Sequence, residues 1–286
     1  MKAHDQPRFL DSETPDLPQN QCLFQVIPAP YEKTVSYGGG TVQGPAAIIL
    51  ASGQLEAYDG TSCPCEHGIH TMEPAATLEA IEAAVAKVSA MGKIPVMLGG
   101  EHTVTYGALK ALQERGEEFG VIQFDAHADL RDTYEGDKFS HACVMHRALE
   151  MGLPLVQIGV RALSPPEVEL RKKYAIHHHD ADQFGRHGLP AQLLPADFPQ
   201  KVYITFDVDG LDPSIMPATG TPEPGGLSWW QAMDCLTAIT SSRTVIGFDV
   251  VELAPIANLH APDFTAARLI YNLMGYITRA MAANKN

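Results

Sequence analysis

No apolar run in these 286 residues is long enough to cross a bilayer, which sets aside a membrane-spanning protein. The stretch from Met1 to Gln19 is polar and proline-bearing, with no apolar core of signal-peptide length, so a cytoplasmic location is expected. Cysteine is scarce too. Five thiols (Cys22, Cys63, Cys65, Cys143 and Cys235), an odd number in a large chain, argue against a disulfide framework and for a reducing compartment. Cys63-Pro64-Cys65 has no second pair to complete a metal site and reads as two loop thiols. Basic residues are outnumbered, 20 Lys and Arg against 34 Asp and Glu, and the formal charge of −14 speaks against a nucleic-acid partner. The same field mildly favours a small cationic ligand. The glycine run Tyr37 to Gly44 lacks both the G-x-G-x-x-G spacing and the Lys-Ser/Thr of a phosphate loop, so it reads as a turn into a helix opened by Pro45.

What is present is an ordinary globular composition, 45% hydrophobic and 19% charged, arranged as strands and helices in alternation. Strand-like runs cover Gln21–Ile27 (ended by Pro28 and Pro30), Ile94–Leu98, Val121–Gln123, Leu155–Val160, Lys201–Phe206 and Thr244–Glu252, with a short strand-like segment closed by His177-His178-His179-Asp180. Helical spacing marks Thr77–Met91, Thr103–Arg115, His141–Met151, a start at Ser164-Pro165-Pro166-Glu167, Ser228 to about Thr240, and Thr265 to Ala282. This alternation implies a mostly parallel sheet covered on both faces. No composition break divides the chain, so it reads as a single catalytic domain over 1–286, with a polar lead-in at 1–20. The proline-rich stretch Leu211–Gly226 reads as a rigid irregular loop.

Chemistry gathers at strand ends, where ligands collect in open parallel sheets. Asp125-Ala126-His127-Ala128-Asp129 follows one strand; if the extended conformation continues, its three metal-ligand side chains share a face. Asp207 and Asp209 repeat the i, i+2 spacing after another strand. His102 follows Gly99-Gly100-Glu101, and Glu252 ends the last strand. Four carboxylates packed together repel unless cations neutralise them, and two divalent ions balance that charge. Oxygen donors with a minority of imidazole suit Mn²⁺, with Zn²⁺, Co²⁺ or Fe²⁺ as alternatives. The run His177-His178-His179-Asp180 has no further ligands at a telling spacing, so a metal there is not expected.

The motifs Gly99-Gly100-Glu101-His102, Phe124-Asp125-Ala126-His127-Ala128-Asp129, Ser140-His141, Phe206 to Pro213, Ala218-Thr219-Gly220-Thr221-Pro222 and Glu252 together resemble those of the ureohydrolase (arginase/agmatinase) family. The resemblance runs in order from about Gly38 to the C-terminal helix. It implies a three-layer α/β/α fold with a central eight-stranded parallel sheet and two Mn²⁺ per subunit. Carried over by motif, His102, Asp125, Asp129 and Asp207 hold one ion and Asp125, His127, Asp207 and Asp209 the other. Asp125 and Asp207 bridge. Hydroxide activated by the ion pair then attacks a guanidinium carbon, releasing urea and an amine, with His141 and Asp129 as catalytic residues. The resemblance makes His141 the proton shuttle, ahead of His146, and Glu252 the guanidinium-binding carboxylate.

The loop Leu130 to Phe139 is acidic and lacks the Asn by which arginases hold an α-carboxylate. It resembles the agmatinase branch and points to agmatine, yielding putrescine on a polyamine route. Aminopropyl-agmatine, guanidinobutyrate and other ω-guanidino compounds are the alternative substrates. A non-catalytic metal- or polyamine-binding protein is the alternative of another class. Asp132, Glu135 and Asp137 are candidates to meet a distal ammonium, none preferred, and the family suggests a homo-oligomer, a trimer or hexamer.

Overall fold

A computed structural model describes residues 7–283. Eight strands, β1 (Phe24–Ala29), β2 (Ile69–Thr71), β3 (Ile94–Gly99), β4 (Gly120–Phe124), β5 (Leu155–Ile158), β6 (His177–His179), β7 (Lys201–Asp207) and β8 (Thr244–Val251), form one sheet in the order β2-β1-β3-β8-β7-β4-β5-β6. Every pairing is parallel. The helices are α1 (Gly44–Ser52), α2 (Leu78–Ala90), α3 (Val104–Glu114), α4 (Val144–Glu150), α5 (Pro165–Lys173), α6 (Ala181–His187), α7 (Trp229–Ser242) and α8 (Ala261–Ala283).

Because side chains alternate along a strand, each one feeds two cores. On one face Val26, Leu98, Phe124, Phe206 and Val250 pack with Ile48 of α1, Phe184 of α6, Leu236 of α7 and Ile270 of α8. On the other, Ile27, Met97, Val121, Tyr203 and Val251 pack with Val85 of α2, Leu109 of α3 and Met145 of α4. The result is the expected three-layer α/β/α arrangement. None of the helices among the described residues is long and apolar enough to cross a membrane.

Local signals account for the helix starts. Thr77 accepts a hydrogen bond from Ala80 N at the head of α2, and the capping boxes Ser164/Glu167 and Ser228/Gln231 open α5 and α7. Within the polar lead-in, Phe9 and Leu10 are fully buried, their N–H groups donating to Thr71 and Ser52. Residues 1–6 of that lead-in lie outside the described residues.

Two expectations need correction. Strand β1 does not stop before Pro28 but runs through it to Ala29. The Pro28 carbonyl accepts from Ala75 N, so the proline nitrogen faces the side where β2 has already ended at Thr71, and no ladder hydrogen bond is lost. The extended conformation of β4 also does not continue through the Asp-x-His-x-Asp run. It ends at Phe124, Asp125 Oδ1 accepts from His127 N at 2.6 Å in a local turn, and Asp129 is left-handed with φ 52°. Strand alternation therefore does not explain why these side chains converge.

Candidate metal centre and active site

The four central strands, β3, β8, β7 and β4, are neighbours, and their carboxyl ends deliver His102, Glu252, Asp207 and Asp125 to one place. Tight backbone passage makes this possible. A Cβ on Gly100 would overlap the Tyr31 carbonyl, and one on Gly210 would press on Asp125 N, so glycine lets both loops close on the site.

Two clusters share Asp125. His102 Nδ1 lies 3.2 Å from Asp125 Oδ2, 3.0 Å from Asp129 Oδ2 and 3.5 Å from Asp207 Oδ2. His127 Nδ1 lies 3.0 Å from Asp209 Oδ2 and 3.5 Å from Asp125 Oδ1. The donor atoms of His102, Asp125 and Asp129, and those of Asp125, His127 and Asp209, are each close enough to hold one ion. Asp125 thus turns one oxygen to each group.

The remaining hydrogen bonds fix these groups in place. Asp209 Oδ1 accepts from Ala126 N and Asp207 Oδ1 from Asp209 N. Gln123 Nε2 donates to Asp125 Oδ2 at 2.7 Å, Gln157 donates to Gln123, and Arg171 Nε donates to Gln157. His102 Nε2 meets Thr205 Oγ1 at 2.8 Å, and Thr205 donates its proton to Asp249 Oδ1. The threonine oxygen must then accept from Nε2–H, so a neutral His102 presents a bare lone pair at Nδ1.

That geometry suits divalent cations. Nδ1 of His102 is buried and has no hydrogen-bond partner among the described residues, although three carboxylate oxygens stand around it. Oxygen-rich donors around two imidazoles match hard-to-borderline divalent ions. Without ions, protons take their place. Burial, with Asp209 and Asp125 beside it, pushes Asp207 well up; burial and Asp125 lift Asp129 to about 7. Burial opposes charge on His127, but Asp125 and Asp209 outweigh it and raise its pKa to about 12. His102 is raised well above its usual value by its three carboxylates, again against burial.

The cavity above these clusters, about 320 Å³, is lined by His127, Asp207, His141, Tyr134, Glu223 and Glu252 among others. Glu252 has a left-handed backbone with φ 64°; its Oε1 accepts from His102 N at 2.6 Å, and Oε2 has no hydrogen bond among the described residues. Burial raises its pKa to about 8, offset in part by that N–H. His141 stands at the first turn before α4, where Nδ1 meets Thr34 Oγ1 at 2.9 Å and Nε2 meets Ser36 Oγ at 2.8 Å. Burial and the positive charges of His102 and His127 lower its pKa to about 4, with Asp125 opposing. The sign the sequence left open is therefore downward.

His146 turns away, its Nδ1 bonding the Leu130 carbonyl. Of the loop carboxylates, Asp132 pairs with Arg147 and Asp137 with Lys33, and neither these nor Glu135 lines the cavity. Sequence reasoning missed Glu223, Thr34, Ser36, Thr205, Asp249 and Gln123. A signal existed for the last three, which are polar residues inside otherwise apolar strand runs. His177 and His179 face each other at 3.0 Å on the edge strand β6, away from both clusters.

Comparison with known proteins places the chain in a family. The model of the arginase family matches residues 23–275. An N(1)-aminopropylagmatine ureohydrolase of Synechocystis sp. is 41% identical over 94% of this chain and 93% of its own. An agmatinase of Pyrococcus horikoshii is 32% identical over 95% and 98%. The crystal structure of agmatine ureohydrolase from Thermoplasma volcanium superposes with a TM-score of 0.86 at 28% identity, covering 97% of this chain and 96% of that one. With a family match over most of its length and relatives of this similarity, the chain belongs to the arginase family, as a ureohydrolase of the agmatinase-like branch.

Proposed function

We propose that this enzyme hydrolyses agmatine to putrescine and urea, with two Mn²⁺ per subunit in a cytoplasmic homo-oligomer. The carrying observation is that two His–carboxylate clusters share Asp125 beneath a cavity that also holds Glu252 and His141. His102, Asp125, Asp129 and Asp207 would hold one ion, and Asp125, His127, Asp207 and Asp209 the other. When bound, the ions neutralise the carboxylates and lower the pKa of a water for attack on the guanidinium carbon; Zn²⁺, Co²⁺ or Fe²⁺ fit the same donors. Glu252, with Oε1 anchored on His102 N, receives guanidinium N–H groups and orients the carbon. His141, on the wall of the same cavity, would take a proton and return it to the departing amine.

Two observations favour N(1)-aminopropylagmatine as a second substrate: the 41% identity to a ureohydrolase of that name, and an acidic residue, Glu223, among those lining the cavity, of the charge an added ammonium would need. Urea release from agmatine, aminopropylagmatine, arginine and guanidinobutyrate, with and without EDTA, tests the reading. Chelator-sensitive turnover of a compound with a cationic or bare tail supports it. Preference for arginine, or silence on all four with ions bound, overturns it.

A further inference from the structure

We propose that Glu101, acting through the hydroxyl of Thr34, is a positioning residue that holds His141 as its Nδ1–H tautomer and keeps Nε2 as the proton-exchanging atom. The inference rests on the shuttle role proposed above for His141.

Glu101 is fully buried between Gly100 and His102, yet it is absent from both metal-binding groups. Its carboxylate is consumed elsewhere. Oε2 accepts from the backbone N–H groups of Lys33 and Thr34, and Oε1 accepts from the hydroxyls of Thr34 at 2.9 Å and Thr103 at 2.6 Å. Four donors converging on one carboxylate require it to act as an acceptor throughout.

Thr34 has one hydroxyl proton, and Glu101 takes it. Only lone pairs then remain on Oγ1, so both groups approaching it from His141 must be donors. One is the backbone N–H at 3.2 Å, a donor by nature. The other is ring Nδ1 at 2.9 Å, which must carry its hydrogen. Ser140 Oγ, at 3.3 Å from the same nitrogen, can share that hydrogen as a second acceptor. A neutral imidazole protonated at Nδ1 is bare at Nε2, and there it accepts from exposed Ser36 Oγ at 2.8 Å, on the cavity wall.

The direction of every hydrogen bond from Glu101 outward is thereby set. Which imidazole nitrogen is basic follows from what its other nitrogen touches. Glu101 also pins the segment carrying Thr34 and Ser36 through two backbone N–H groups, so one carboxylate sets both the tautomer and the ring orientation. It acts as an acceptor only; no change in its own protonation is invoked.

Glu101→Gln is the discriminating variant. It keeps the shape but can place an NH₂ against Thr34. The hydroxyl then turns round, donates to Nδ1, and converts His141 to the Nε2–H form. Thr34→Val removes the link and Thr34→Ser restores it. Imidazole ¹⁵N spectra of the Zn²⁺-loaded protein, assigned with His141→Asn, read the tautomer directly. Urea release read as a pH profile of kcat gives the consequence.

The expected result is Nδ1–H in the wild type, with Glu101→Gln and Thr34→Val each losing about 10- to 100-fold in kcat, as is usual for outer positioning partners, at unchanged KM and ion content, and Thr34→Ser near wild type. A wild-type His141 protonated at Nε2 overturns the inference, whatever the variants do. So does wild-type kcat and pH profile in Thr34→Val and Glu101→Gln while His141→Asn is impaired. Full activity in His141→Asn instead removes the shuttle reading beneath it, a distinguishable failure.

Discussion

His102 Nε2 lies 2.8 Å from Oγ1 of Thr205, and because that hydroxyl donates onward to Asp249, the contact aims Nδ1 of His102 at Asp125, Asp129 and Asp207. Asp249 is itself held by Tyr203 and Thr105, so the line from Asp249 to His102 has little freedom to relax. Outer partners of this kind typically contribute 10- to 100-fold to metal affinity. Thr205→Val is expected to weaken Mn²⁺ binding by about that factor, and Thr205→Ser to restore it. Ion content at limiting Mn²⁺ checks this; equal retention by the valine variant would show that His102 needs no orienting partner.

Asp125 joins the His102 and His127 clusters, and Asp207 approaches His102 while anchoring Asp209 N. Asp125→Asn or Asp207→Asn should lower bound Mn²⁺ and cut urea release by at least ~10²–10³-fold, since each removes charge from the reacting centre. Full metal content together with wild-type turnover would refute the ligand assignment.

Substrate binding should fail separately from metal binding. Glu252→Gln keeps an oxygen for His102 N but loses the charge facing a guanidinium, a loss of ~3 kcal/mol or about 100-fold in kcat/KM. Steady-state kinetics at saturating Mn²⁺ would reveal it. A kcat/KM equal to the wild type's would remove Glu252 from guanidinium recognition.

In the ion-free protein burial disfavours charge on His102 and His127, but the surrounding carboxylates outweigh it and raise both pKa values, His127 to about 12, which favours the protonated imidazoles. An ion needs the Nδ1 lone pair that the proton occupies, so binding expels protons. The sign follows: raising the pH removes the competitor, and the apparent Kd for Mn²⁺ falls by about tenfold per pH unit for each proton released. Titrations at pH 6.5 and 8.5 should show tighter binding at the higher pH, and a pH-independent Kd would contradict protonated imidazoles in the empty site.

Much of the fold was readable because its causes are local. Apolar runs bounded by glycine and proline gave the main strands, and Thr77, Ser164 and Ser228 announced helix starts by residue type. Pro28 misled because its tolerance depends on where a neighbouring strand stops, which Phe24 to Ala29 do not encode. Asp125, His127 and Asp129 were recognised by identity and spacing, but the chain bends at Asp125 and goes left-handed at Asp129, so their convergence has another origin.

By itself, the order of residues singled out the candidate residues: His102, the two Asp motifs, His141 and Glu252 are chemically distinctive, and all but His141 lie at or just past strand ends. Only the tertiary structure decided how they are used. The strand order places β3, β8, β7 and β4 side by side, so residues up to 150 positions apart, such as His102 and Glu252, come within a hydrogen bond. It also revealed the quiet partners: Thr205 and Asp249 orient His102, and Glu101 and Thr34 engage His141. A threonine or a buried glutamate has no distinctive signature in sequence. Its role is set by which donors and acceptors surround it, and that exists only once the chain is folded.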